Sequence, residues 1–249
     1  MRRLRFEIAY DGTDFNGWQV QPGLPTIQGV LEEVIRTIEG KPVQVIASGR
    51  TDAGVHAFAQ VAAVSIENRI PPDNFRRAVN RLLPPSIRIS HVVESALDFH
   101  PRFDAVKKTY EYRIFREEVC PPFDRRYVYH YPYPLEERAM IAAAPLLEGE
   151  YDFTAFAASD EKDERNASKV RHIYRSALTR TDQRLIYTVT GSGFLKHMVR
   201  NIMGVLLEVG KGNLTQNDVL ARLDSRNRIL PGPALPANGL FLISVEYPD

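Results

Sequence analysis

The amino-acid sequence predicts an α+β protein built as two halves, and three observations carry that expectation. Strand-period alternation opens the chain, with Leu4, Phe6, Ile8 and Tyr10 against Arg3, Arg5, Glu7 and Ala9. A long helical repeat follows from Thr26, where Ile27, Val30, Leu31, Val34, Ile35 and Ile38 recur on one face. After about residue 107 the same succession of strands and helices begins again as an architectural repeat, although no sequence repeat is visible.

In the first half, a turn at Asp11-Gly12 ends the opening strand. Thr26 is placed to cap the helix and Gly40 to close it. Val43–Ala47 and Ala57–Ile66 read as strands joined by a polar loop. A helix over about Asp73–Leu83, with Phe75, Ala78, Val79 and Leu82 on one face, precedes a strand at Ile87–Val93. The order is βαββαβ. The second half is expected to hold strands at Lys107–Arg116 and Tyr127–Tyr131, then a helix at Leu135–Leu147 after Pro134. Strands at Val170–Thr179 and Leu185–Thr190, helices at Phe194–Val209 and Thr215–Leu223, and a last strand at Leu240–Tyr247 complete it. The boundary falls near Phe103–Lys107, giving halves of residues 1–104 and 105–249.

Composition narrows the class. The chain has 249 residues, 44% hydrophobic and 25% charged, as expected of a globular protein with a full core. Its single cysteine, Cys120, excludes an internal disulfide framework and a cysteine-based zinc cluster. The N-terminus places charges where a signal peptide needs apolar residues, and no run reaches transmembrane length, so a cytoplasmic protein is expected. With 32 Lys and Arg against 31 Asp and Glu, the net charge of +1 does not point to nucleic acid, and any RNA surface must come from local clustering.

The chemistry-bearing segment is the loop Ser48-Gly49-Arg50-Thr51-Asp52-Ala53-Gly54-Val55-His56 between two strands. An Asp followed by Ala-Gly has an ordinary structural explanation, since its carboxylate accepts backbone hydrogen bonds and Gly takes positive φ. Arg50 two residues away, and Thr51 as a donor, point instead to a held, ionised carboxylate able to act as nucleophile or base. A glycosidase would need a second carboxylate nearby, and Asp98, Asp104, Glu111 and Asp152 are available without a spacing that selects one. There is no GxGxxG, Walker loop or HExxH, and the six histidines are scattered.

The nine residues Gly49 to Ala57 closely resemble the signature of the TruA family of tRNA pseudouridine synthases. Other blocks match in order: Tyr10-Asp11-Gly12-Thr13, Gly17-Trp18-Gln19, Phe99-His100-Pro101-Arg102-Phe103, Lys108-Thr109-Tyr110-Glu111-Tyr112, His197-Met198-Val199-Arg200-Asn201 and Gly239-Leu240. The resemblance implies two ferredoxin-like halves sharing an extended, mostly antiparallel sheet, with helices on one face and an active-site cleft between the halves. It also implies a homodimer that isomerises uridines 38 to 40 of the tRNA anticodon stem-loop without cofactor or metal. Asp52 becomes the nucleophile; attack at C1′, addition to C6 and removal of a sugar proton all remain open. Arg200 is implied to pair with that carboxylate, Tyr110 to stack on the base, and Leu240 to line the uracil pocket, with Arg50 beside the substrate.

From the residues alone, Tyr110 and Tyr112 share a strand face, and stacking and core packing stay open for both. Arg200 lies off the apolar stripe of its expected helix, beside Gly204. Local basic groups available for phosphates are Arg2-Arg3-Arg5, Arg76-Arg77-Arg81, Lys107-Lys108, Arg125-Arg126 and Arg165-Lys169-Arg171. Trp18 and Gln19 have either structural or RNA-contact duty. Ala157-Ala158 stand where relatives often carry a polar or basic residue, and Glu161–Asn166 reads as a charged loop. Two competing functions remain: a non-catalytic RNA-binding protein of the same fold, and a nucleoside hydrolase that releases the base.

Overall fold

The computed structural model describes residues 1–158, 168–225 and 234–248. The chain divides into two compact units, one formed by Met1–Val106 with Phe241–Asp249, the other by Lys107–Leu240. The first contains strands β1 (Arg2–Tyr10), β2 (Val45–Ala47), β3 (His56–Ile66) and β4 (Ile87–Ser95), and helices α1 (Ile27–Glu39) and α2 (Pro72–Leu82). The second contains β5 (Lys107–Phe115), β6 (Tyr129–His130), β7 (Gly149–Asp152), β8 (Val170–Arg180) and β9 (Arg184–Gly191), with α3 (Glu137–Ala143), α4 (Met198–Gly210) and α5 (Gln216–Ser225). The C-terminal strand β10 (Leu240–Glu246) pairs in parallel with β3 through Phe241 and Leu242. That pairing places almost all of β10 in the first unit, whereas its position in the sequence suggested the second.

In the first unit the order β1-α1-β2-β3-α2-β4 is the expected one. β1 lies between β3 and β4 and is antiparallel to both. Its alternation works as read: Leu4, Phe6, Ile8 and Tyr10 are buried while their neighbours are not fully so. Thr26 Oγ1 accepts the Gly29 N–H at 3.3 Å and Gly40 closes α1 in the left-handed conformation, so both helix ends match the sequence signals. Ile27, Leu31 and Ile35 are fully buried, each contributing about 1.5–3 kcal/mol of transfer free energy. In α2, Phe75 and Val79 are buried, but Leu82 is half exposed and Leu83, just past the helix, enters the core instead.

β3 organises the loop of interest. Its far end pairs with β2 through Ala62, Ala63 and Val64, and its near end with β10 through His56 and Ala57. Both partners use the edge that β1 leaves open, because β1 already pairs with Ala57, Ala62, Ala63 and Val64 of β3. Between them that edge has no partner strand among the described residues, and there the chain leaves β2 and turns through Ser48–Val55. The Ser48 N–H still donates to Val61 O at 2.8 Å, as a strand continuation would.

The second unit's sheet runs β5-β9-β8-β7 with antiparallel neighbours, and β6 lies parallel on β5. Three expectations need correction here. The helix expected over Leu135–Leu147 is α only to Ala143 and continues as a tighter turn over Ala144–Leu147. Pro145 has no N–H to continue the α-helical ladder. The helix expected from Phe194 begins at Met198, because His197 takes φ 60, the one positive φ at a non-glycine among the described residues. The strand over Tyr127–Tyr131 shrinks to Tyr129–His130, and β7, an edge strand on β8, went unforeseen. The expected charged loop Glu161–Asn166 lies outside the described residues. Among the described residues no helix is long and apolar enough to cross a membrane.

Candidate active site

Asp52 sits at the tip of the loop between β2 and β3, half-buried, beside an exposed Arg50. Gly54, two residues on, has φ 78, the positive value expected of a glycine in this turn. The Val55 N–H donates to Asp52 O at 3.2 Å and closes the turn. The loop is held from below by the ends of the flanking strands. Ser48 Oγ donates to Gln60 Oε1 at 2.6 Å, and Gln60 Nε2, on the same fully buried side chain, donates to Gly49 O at 3.0 Å.

It is held from the side by the end of β1 and the segment after it, where structural and RNA-contact duty were both open for Trp18 and Gln19. The Tyr10 hydroxyl and Thr51 Oγ1 share a buried hydrogen bond of 2.8 Å. The Trp18 N–H donates to Thr51 O at 3.0 Å, and the Gly54 N–H donates to Phe15 O at 3.3 Å. The Gly12 N–H donates to His56 Nδ1 at 3.1 Å, and Asp11 Oδ1 lies 3.2 Å from the same nitrogen. Asp11 Oδ1 also accepts the Thr13 N–H at 3.0 Å and the Thr13 hydroxyl at 2.6 Å. The His56 ring stacks on Phe241 of β10, with centroids 4.7 Å apart. Trp18, 3% exposed and 6.1 Å from the Tyr10 ring, is therefore a scaffold residue, while Gln19 is exposed.

Burial pushes the Tyr10 phenol up to about 12, against the opposing effect of its hydrogen bonds to Thr51 and Gln60. Tyr10 is thus a neutral hydroxyl in the working range. Tyr10→Phe should leave the Thr51 hydroxyl without this partner in a dry position and lower stability by about 1–3 kcal/mol. Chemical denaturation measures this, and a midpoint equal to wild type would show that the hydroxyl holds nothing.

The remaining candidates belong to the second unit. Tyr110 on β5 is 8% exposed and meets Phe194 edge-on, with centroids 5.0 Å apart and planes at 76°. Tyr112 is fully buried and donates its hydroxyl to Pro236 O at 2.7 Å. Burial drives its phenol far above the ordinary value despite the opposing charge of Arg200. The two tyrosines thus differ in their partners: Tyr112 is tied to the C-terminal segment, and Tyr110, also buried, packs on Phe194.

Arg200, in the first turn of α4, donates from Nε to Leu235 O at 2.7 Å and receives the Leu235 N–H on its own carbonyl at 3.4 Å. It so anchors the segment leading through Ala237–Gly239 to Leu240, which is 6% exposed. The expected polar side of α4 is narrow, with Arg200 and Glu208 as its residues that are not buried. Gly204 and Asn201 are buried, and Asn201 Nδ2 donates to Phe156 O at 2.7 Å. This helix is covered nearly all round, a setting that a one-sided apolar stripe does not describe.

The basic groups separate. Arg2 bonds Asn68 O at 3.0 Å and contacts Ile70 O and Glu94; Arg3 bonds Phe99 O at 2.6 Å and Ser65 Oγ at 3.1 Å. Arg5 lies over the Tyr247 ring at 4.3 Å. These three are internal fasteners rather than a phosphate track. Arg125 is exposed, and Arg165 lies outside the described residues. Ala157 is 5% exposed, so no polar side chain reaches outward at that point.

Among the described residues no group of three or more His, Cys, Asp or Glu is arranged to hold a metal ion. The picture is of an acidic loop on a rigid scaffold, with the signature of an RNA-modifying class of isomerases. Residues 8–104 and 143–248 match the family described as tRNA pseudouridine synthase. The chain is 63% identical over 247 residues to tRNA pseudouridine synthase A of Solibacter usitatus, covering 99% of this chain and 100% of the relative. It is 41% identical to the protein of that name from Caldicellulosiruptor bescii, with coverage of 99% and 100%. It is likewise 41% identical to that of Oceanobacillus iheyensis, with coverage of 100% and 98%. The chain belongs to the tRNA pseudouridine synthase A, or TruA, family.

Proposed function

We infer that this chain is an isomerase that converts uridine to pseudouridine in tRNA. The observation that carries this is the family match, which runs through the Asp52 loop and over nearly the full length of the chain. The reaction breaks the N1–C1′ bond and joins C1′ to C5 of the same uracil. N1 gains a proton and C5 loses one, so atoms balance without an added reactant.

Asp52 is proposed as the nucleophile, with Arg200 as the positive charge that the family pairs with it. Its loop is held by hydrogen bonds with Tyr10, Trp18, Phe15 and Gln60, which favours a carboxylate kept in one place before substrate arrives. Tyr110 is proposed to stack on the flipped uracil, and Leu240 and Arg50 to contact the nucleotide. A uridine within a stem must leave its stack before this chemistry, and an aromatic ring recovers part of that cost. The target is taken to be uridines 38 to 40 of the anticodon stem-loop, in the cytoplasm, by a homodimer of two ferredoxin-like halves per chain, with no cofactor or metal.

Incubation with an unmodified tRNA transcript, followed by mapping of pseudouridine and assay of free uracil, tests the reading. Pseudouridine confined to the anticodon arm is the expected product. Released uracil would instead establish a hydrolase, and tight binding without either product an RNA-binding protein. In the same assay Tyr110→Phe should keep turnover near wild type while Tyr110→Ala loses about tenfold or more. Equal turnover of the Ala variant would remove Tyr110 from the substrate.

A further inference from the structure

The turn His100–Asp104, in the first unit, displays Phe103 at 74% exposure, although its backbone is tied down at several points. The Phe103 and Asp104 N–H groups both donate to His100 O, at 3.1 and 3.0 Å. The Arg102 N–H donates to His100 Nδ1 at 3.2 Å, and the His100 N–H donates to Asp104 Oδ2 at 2.8 Å. Outside the turn, Arg3 fastens Phe99 O, and the Tyr247 hydroxyl donates to Pro101 O at 2.8 Å. The His100 ring backs Phe103 with centroids 4.2 Å apart, and the Arg102 guanidinium lies 5.8 Å from the Phe103 centroid.

Exposed apolar side chains are common, but a large ring on a loop fixed this thoroughly is a rigid platform. Among the described residues its ring neighbours are a histidine and an arginine, so its surroundings suit a flat, polar, anionic partner better than an apolar one.

We propose that Phe103 is a stacking platform for an unpaired base of the substrate RNA, with Arg102 beside it for the adjoining phosphate. This rests on the reading of the chain as a tRNA-modifying enzyme. A ring face accepts any base, and Arg supplies charge without sequence preference, which suits a contact that positions RNA and leaves selection to other groups.

The test compares Phe103→Ala, Phe103→Leu and Phe103→Tyr for affinity to the unmodified tRNA transcript and for pseudouridine formation. Ala and Leu should weaken RNA binding by about tenfold, in the range that removal of one base stack produces, while Tyr stays near wild type. Melting temperatures should match, since the ring supports no core. Leu at wild-type affinity would overturn stacking in favour of plain apolar contact. Ala at wild-type affinity and turnover would overturn the contact itself, as would loss of melting temperature in proportion to affinity. A wild-type protein that forms no pseudouridine would instead fail the underlying functional reading, and the inference with it.

Discussion

Asp52→Asn is expected to leave the fold intact and to abolish pseudouridine formation, by on the order of 10⁴-fold or more, as loss of a nucleophile does in enzymes of other chemistry. Asparagine has the shape of aspartate without its charge, and its amide nitrogen carries no free pair for attack. The backbone bond from Val55 N–H to Asp52 O closes the turn irrespective of the side chain. Tyr10, Trp18 and Gln60 grip Thr51 and Gly49 through hydrogen bonds that the substitution leaves in place. Melting temperature and RNA affinity should therefore stay near wild type while single-turnover conversion vanishes. A variant that still converts tRNA at the wild-type rate would show that the carboxylate is not the reacting group.

Gly12→Ala is expected to have the second largest effect, through geometry instead of chemistry. A Cβ built on Gly12 would lie 2.0 Å from Val55 O, three residues beyond Asp52, a distance no real contact tolerates. Val55 O belongs to the backbone and a Cβ is fixed to its Cα, so the strain cannot be relieved by a side-chain rotation. Either the segment after β1 or the end of the Asp52 loop must move. Overpacking of this kind costs about 1–3 kcal/mol. The rate should fall further than that loss implies, on the order of 10²-fold, because a misplacement near 1 Å is enough to spoil a reacting geometry.

Gly40→Ala provides the comparison. Gly40 caps α1 with φ 80 and would meet nothing within 4 Å, so its substitution strains the backbone and disturbs no neighbour. It should lower stability by about 1 kcal/mol and keep activity. Equal rate losses in the two variants at a temperature where both are folded would refute a specific role for the Gly12 contact.

Much of the first unit was readable from neighbours along the chain. The alternation of β1, the Thr26 and Gly40 caps of α1, and the positive φ of Gly54 each depend on residues a few positions apart. The second unit was harder for the same reason turned around. His197 in the left-handed conformation, the break at Pro145 and the burial of Gly204 and Asn201 reflect packing from distant segments. Arg2, Arg3 and Arg5 looked like a basic patch because a charge run carries no mark of its partners, which lie at Asn68, Glu94, Phe99 and Tyr247.

By itself, then, the sequence determined the succession of elements in the first unit, the identity of the acidic loop and the family to which it belongs. Those properties are local, set by periodicity, caps and consecutive residues. Only the tertiary structure decided what holds that loop. Tyr10 reaches Thr51 across 41 positions, Gly12 reaches His56 across 44, and Tyr247 reaches Pro101 across 146. Hydrogen bonds of that span exist only once β1, β3 and β10 are side by side, and no spacing along the chain encodes them.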